Sequence, residues 1–207
     1  MMLATDFYAL IGLDLALCAV FLRATRWVIR APASGKASAW LLWLSAILLI
    51  GLWLPYGDAG LPFLAFARGI FSDLSVTSVA LAVLYIVCRT AGVLCVQGRE
   101  TRTLHIGLTF AALLLYPTAL GWGDWDAYRL GWGSPGFVVM LSLSALACFC
   151  MGFRLLPLLV AAALMAWSFG VLESTNLWDY LIDPWIACVS LGAALKVGFG
   201  CFRRQIL

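Results

Sequence analysis

Apolar segments of about twenty residues recur from one end of this chain to the other, separated by short polar stretches. That spacing is the strongest constraint on the fold, because a helix needs roughly 20 apolar residues to cross hydrocarbon and satisfies its own amides on the way. Of 207 residues, 64% are hydrophobic and 11% charged, against about half and about a quarter in soluble domains. Lipid is therefore the expected solvent. The pattern predicts an all-α fold: a polytopic transmembrane helix bundle of about seven spans, with residues 1–207 forming a single integral membrane domain.

The spans are predicted over 7–28, 39–56, 74–96, 104–122, 137–153, 156–172 and 184–202. The first has no basic region before it and no small-residue cleavage site after it, so it is expected to be kept rather than removed as a signal peptide. Residues 57–73, interrupted by Pro62 and Arg68, are too short to cross and read as an interfacial or re-entrant segment. Pro157 is expected in the first turn of the sixth span, where its missing N–H costs nothing.

Basic residues set the orientation. With the amino terminus outside and the carboxyl terminus inside, the inner side receives Arg23, Arg26, Arg30, Lys36, Arg99, Arg102, Arg154, Arg203 and Arg204, with Arg89 and Lys196 in the inner halves of their spans. Only Arg68 and Arg129 fall outside, a strong positive-inside bias. Asp6, Asp58, Asp73, Asp124, Asp126, Glu173, Asp179 and Asp183 fall outside, and Glu100 inside. Trp53, Trp122, Trp125, Trp132, Trp178 and Trp185 at the outer boundary, with Trp27, Trp40 and Trp43 at the inner one, fit interfacial belts. The expected location is a bacterial inner (plasma) membrane. The net charge of +3 is spread over span ends rather than gathered in a stripe, so no nucleic-acid partner is expected.

Charges inside the bilayer are the first functional candidates, since each costs at least ~2.5–3.5 kcal/mol on insertion scales unless it finds a partner or water. Asp14, Arg89 and Lys196 are such charges, all at a similar depth of roughly 10–15 Å by helical rise. Pairing of Asp14 with Arg89 or Lys196 is one expectation; snorkelling to the headgroups is the other. The outer loops are the second candidates. Asp124, Asp126, Tyr128 and Arg129 share one loop, and Glu173, Ser174, Thr175, Asn176, Asp179 and Asp183 the other, so two acidic loops could converge on one face. Paired carboxylates can hold a divalent cation or divide acid and base roles. The plainer roles are solvation and helix capping, and Asp183 before Pro184 has the pattern of an N-cap.

No metal site is expected. The seven cysteines, Cys18, Cys88, Cys95, Cys148, Cys150, Cys188 and Cys201, lie in or at the ends of apolar segments and are expected to pack as small hydrophobes, and His105 is the single histidine. No G-x-S-x-G, H-E-x-x-H or phosphate-loop pattern occurs.

The closing run Lys196-Val197-Gly198-Phe199-Gly200 resembles the last helix of microbial rhodopsins, where a lysine carries retinal. Seven spans, an outer amino terminus, and Arg68 and Asp73 ahead of the third span are similar as well. The resemblance implies a retinal-binding seven-helix protein through Lys196. It departs at Gly192, four before the lysine, where many of those proteins have an aspartate, and at Trp167 and Phe169, which do not reproduce the retinal pocket. The stretch Ala67-Arg68-Gly69-Ile70-Phe71-Ser72-Asp73-Leu74 is loosely similar to the membrane module of sulfatase-like enzymes that transfer phosphoglycerol or phosphoethanolamine. Those enzymes carry a large extracytoplasmic domain that this sequence lacks, so the likeness implies at most a stand-alone membrane partner.

The expected function is that of a non-enzymatic accessory or assembly subunit in cell-envelope lipid or glycan processing, needing no cofactor and meeting membrane lipids and another envelope protein. The alternatives are a small transporter or channel using Asp14, Arg89 and Lys196, a membrane-embedded hydrolase or transferase using the outer carboxylates, and the retinal protein.

Overall fold

A computed structural model describes residues 4–29, 39–58, 60–93, 96 and 98–206. The fold is all-α apart from a two-residue β-pairing. Of the basic residues counted above, Arg30 and Lys36 lie outside the described residues. The chain divides into two compact units: Met1–Cys95 with Val171–Glu173, and Val96–Gly170 with Ser174–Leu207.

The first unit is built on α1 (Ala4–Val28). Asp6 in its first turn and Arg26 in its last complement the helix dipole. Helix α2 (Ala39–Leu52) follows, then a hairpin of β1 (Pro55–Tyr56) and β2 (Leu61–Pro62), with Pro55 opposite Pro62 and Tyr56 opposite Leu61. Gly57 and Gly60, at φ 68° and 60°, make the turn that this pairing needs. Helix α3 (Phe63–Phe71) stops at Ser72, whose φ of 61° turns the chain out of the helix while its N–H bonds Arg68 O. Helix α4 (Val76–Ala91) has both ends capped: Ser75 accepts from Ser78 N, and Gly92 takes the left-handed conformation. Helices α2, α3 and α4 all pack on α1. A core of Leu10, Leu13, Leu64, Ala67 and Leu74 joins α1 to α3 and the start of α4. Gly12 lets α4 approach: a Cβ there would stand 2.8 Å from Val79 Cγ2.

The second unit contains α5 (Gly98–Ala119), a 3-10 turn at Ala127–Gly131, α6 (Pro135–Cys150), α7 (Leu155–Ser168), α8 (Leu177–Leu181) and α9 (Pro184–Ile206). Its main pairings are α5 with α9, α6 with α7, and α7 with α8. His105 Nδ1 lies 3.0 Å from the fully buried Ser190 Oγ, tying α5 to α9. Glu100 accepts from Arg154 N at 2.9 Å and Leu155 N at 3.2 Å, so a carboxylate from α5 satisfies amides at the start of α7. Arg99 stacks over Phe153 and Arg154 over Phe149 beside it.

Among the described residues, one helix, Thr5–Val28, is long and apolar enough to cross a membrane. The apolar helices Trp40–Leu52, Val76–Ala91, Pro135–Cys150, Leu155–Ser168 and Pro184–Val197 are shorter. Residues expected inside spans went elsewhere. Pro55 and Tyr56 enter the hairpin, and Gly152, at φ 85°, ends the turn after α6. An apolar pattern cannot tell such residues from helix, because the turns and helix ends here are as hydrophobic as the helices they adjoin.

Candidate functional site

The second unit joins its two polar loops into one hydrogen-bonded junction. One loop contributes the 3-10 turn, nucleated by Asp126, which accepts from Tyr128 N at 2.9 Å. The other contributes α8, capped by Asn176, which accepts from Trp178 N at 3.0 Å. The two then exchange partners. Asn176 Nδ2 donates to Tyr128 O at 3.0 Å, Trp178 Nε1 donates to Ala127 O at 2.9 Å, and the Tyr128 hydroxyl donates to Asp179 Oδ2 at 2.8 Å. Ser174 Oγ also donates to Asp179 Oδ2, and the Tyr180 hydroxyl donates to Ser174 O. Helix ends anchor the assembly. Trp167 Nε1 donates to Thr175 O, and Ala127 N to Thr118 Oγ1.

The junction is tightly fitted. Ala127, Asn176 and Tyr180 are fully buried, and the Trp178 ring lies 4.7 Å from Phe137. A Cβ on Gly131 would collide with Asn176 Oδ1 and come within 2.8 Å of Trp178 Cδ1, so only glycine fits there. Burial, followed by the hydrogen bond to Asp179, pushes the Tyr128 hydroxyl up to about 12. It thus stays a donor throughout the neutral range. Trp122, Trp125 and Trp132 of the first loop remain exposed, with Trp132 edge-on to Tyr128.

The first unit holds a charged cluster centred on Arg68. Its guanidinium donates Nε to Asp73 Oδ1 at 2.6 Å and Nη2 to Asp73 Oδ2 at 3.1 Å, a bidentate pair. Nη1 reaches Asp6 Oδ1 at 2.7 Å, and Nη2 reaches Glu173 Oε1 at 2.8 Å. Asp73 above all, then Asp6 and Glu173, hold the guanidinium even more firmly protonated than usual. Glu173 is the exposed member, at 57%, whereas Arg68, Asp6 and Asp73 lie near a quarter.

The sequence candidates therefore separate. Asp126, Asp179 and Asp183 enter the second unit's polar framework, and Asp183 accepts from Trp185 N and Ile186 N as the N-cap of α9. Asp124 and Arg129 are exposed. Glu173 joins Arg68 in the first unit. Buried Asp14 accepts from Trp53 Nε1 at 3.0 Å; its hydrogen-bond partner is an indole, and its Oδ1 has none among the described residues. Arg89 is buried in the last turn of α4, and Lys196 is exposed on α9.

Grouping Asp6, Arg68 and Asp73 was beyond the sequence reading. The available signal was Arg68 itself, one of two basic residues that the expected topology sets among the acids of the outer side. Cys18, Cys148, Cys150 and Cys188 are free thiols, but Cys88 is disulfide-bonded, which corrects its reading as a packed thiol. No protein-family model, curated protein or solved structure matches the chain.

Proposed function

We propose that this chain is a seven-span inner-membrane protein, amino terminus outside, acting without an activity of its own as an accessory subunit in envelope lipid or glycan processing. The observation that carries this reading is how the junction spends its polar groups. Asp126 and Asp183 cap helices, and Asp179 accepts from two hydroxyls. A fixed polar base whose loop also carries exposed Trp122, Trp125 and Trp132 suits a surface for a partner protein or the headgroup layer. The basic-residue count supports the orientation, and the span length of α1 supports residence in a membrane.

Copurification in mild detergent, with a photo-crosslinking residue at Trp125, tests the role. One envelope protein captured in a stoichiometric band is the expected result. No crosslink from Trp125 or Trp132 in native membranes would remove the reading.

A second reading, a small transporter or channel, rests on Asp14, whose Oδ1 is buried and unpartnered among the described residues. Buried intramembrane carboxylates commonly mark ion or proton paths, and Arg89 and Lys196 are the further charges such a path would use. Asp14→Asn should abolish flux in proteoliposomes on this reading. Unchanged flux, or none from the native chain, counts against it.

A further inference from the structure

Helix α3 is apolar over a wider arc than α1 covers. Leu64, Ala67 and Phe71 form the stripe packed against Leu10, Leu13 and Leu74. Phe63, Phe66 and Ile70 form a second stripe left uncovered, with Ile70 at 77% exposure. At about 100° per residue, the centre of the uncovered stripe lies about 170° around the helix from Arg68. Arg68 and its carboxylates thus occupy one side of α3, the bare Phe and Ile side chains the opposite side, and α1 the flank between them.

A helix with this division suits a boundary between water and hydrocarbon. Nine residues rise only about 13 Å, too short to cross a core of about 30 Å. The uncovered stripe carries no charge, and the adjoining hairpin adds Tyr56, two-thirds exposed and edge-on to Phe66. Tyrosine at such a boundary keeps its ring in lipid and its hydroxyl in water. The core that seats α3 is on α1, the helix long enough to cross, near that helix's first turns.

We propose that α3 lies in the plane of the outer leaflet, its Phe63, Phe66 and Ile70 stripe covered by the upper acyl chains and its Arg68 cluster held at the headgroup level. The segment is then interfacial rather than re-entrant. The proposal rests on the membrane orientation given above, not on the accessory role. The covering partner is lipid because its surface offers what the stripe needs, charge-free contact on one side and solvated charge on the other.

The test uses the full chain in nanodiscs of phosphatidylethanolamine and phosphatidylglycerol, with benzoylphenylalanine placed at Phe66 or Ile70. Both positions are exposed, so the core is untouched. After irradiation, mass spectrometry should find lipid adducts at both sites, and fragmentation should place the new bond in the upper third of the acyl chain. Adducts near the terminal methyl would mean a re-entrant depth, and protein crosslinks without lipid would mean a protein-covered face; either overturns the proposal. A lipid-soluble carbene reagent applied to the unsubstituted protein gives an independent reading: labelling of Phe63, Phe66 and Ile70 supports it, and protection of all three opposes it. A chain that stays soluble without detergent or lipid would fail the membrane reading itself, a distinct outcome.

Discussion

The Arg68 cluster and the loop junction solve the same problem, fixing irregular chain beside helices, with opposite chemistry. The cluster uses ion pairs around one guanidinium, partly open to solvent. The junction uses mostly neutral hydrogen bonds between buried and half-buried groups, and it depends on shape at Gly131. Charges near the surface are screened and individually weak, whereas a buried donor left unpaired costs its whole desolvation penalty. The junction should therefore be the more brittle of the two and the cluster the more sensitive to conditions.

The sharpest way to break that contrast is Gly131→Ala. The new methyl meets Asn176 Oδ1 inside a packed site, and overpacking of this kind should cost about 3 kcal/mol, read as a loss of thermal stability in detergent. Arg68→Met should come next, at about 2 kcal/mol in low salt, because it leaves Asp6, Asp73 and Glu173 without their shared cation. Its cost should shrink markedly in 0.5 M salt, while that of Gly131→Ala should not. Equal salt dependence would erase the distinction.

Tyr128→Phe should cost about 1 kcal/mol at neutral pH through the lost bond to Asp179. Because the folded protein raises this hydroxyl to about 12 from an ordinary 10, its contribution is fully present below pH 10 and lost as pH rises toward 12. The stability difference between the native chain and Tyr128→Phe should close over that window; a constant difference would mean that the phenol's proton is not what matters. Glu173→Gln should have the smallest effect, about 0.5 kcal/mol or less, since Glu173 is the exposed member of its cluster.

Local features were legible in the sequence. Apolar runs marked the helix centres, Asp183 before Pro184 marked the start of α9, and Pro157 fell in the first turn of α7. The two loops that composition singled out do meet, through Tyr128 and Asp179. What stayed hidden depends on distant pairing. Arg68 finds Asp6 at 62 residues' separation and Glu173 at 105, and no periodicity encodes such a contact. The constraint on Gly131 comes from Asn176, far along the chain. The Pro55–Pro62 pairing was masked by apolar residues that suited a longer helix equally well.

All of this acquires a function only if the junction faces outward, one membrane thickness from the opposite end of α5. Trp125→Cys and Arg99→Cys, each treated in intact cells with a membrane-impermeant maleimide, test that most directly. The account predicts labelling at position 125 from outside, and at position 99 only after the membrane is opened. Labelling of both from the same side would contradict it.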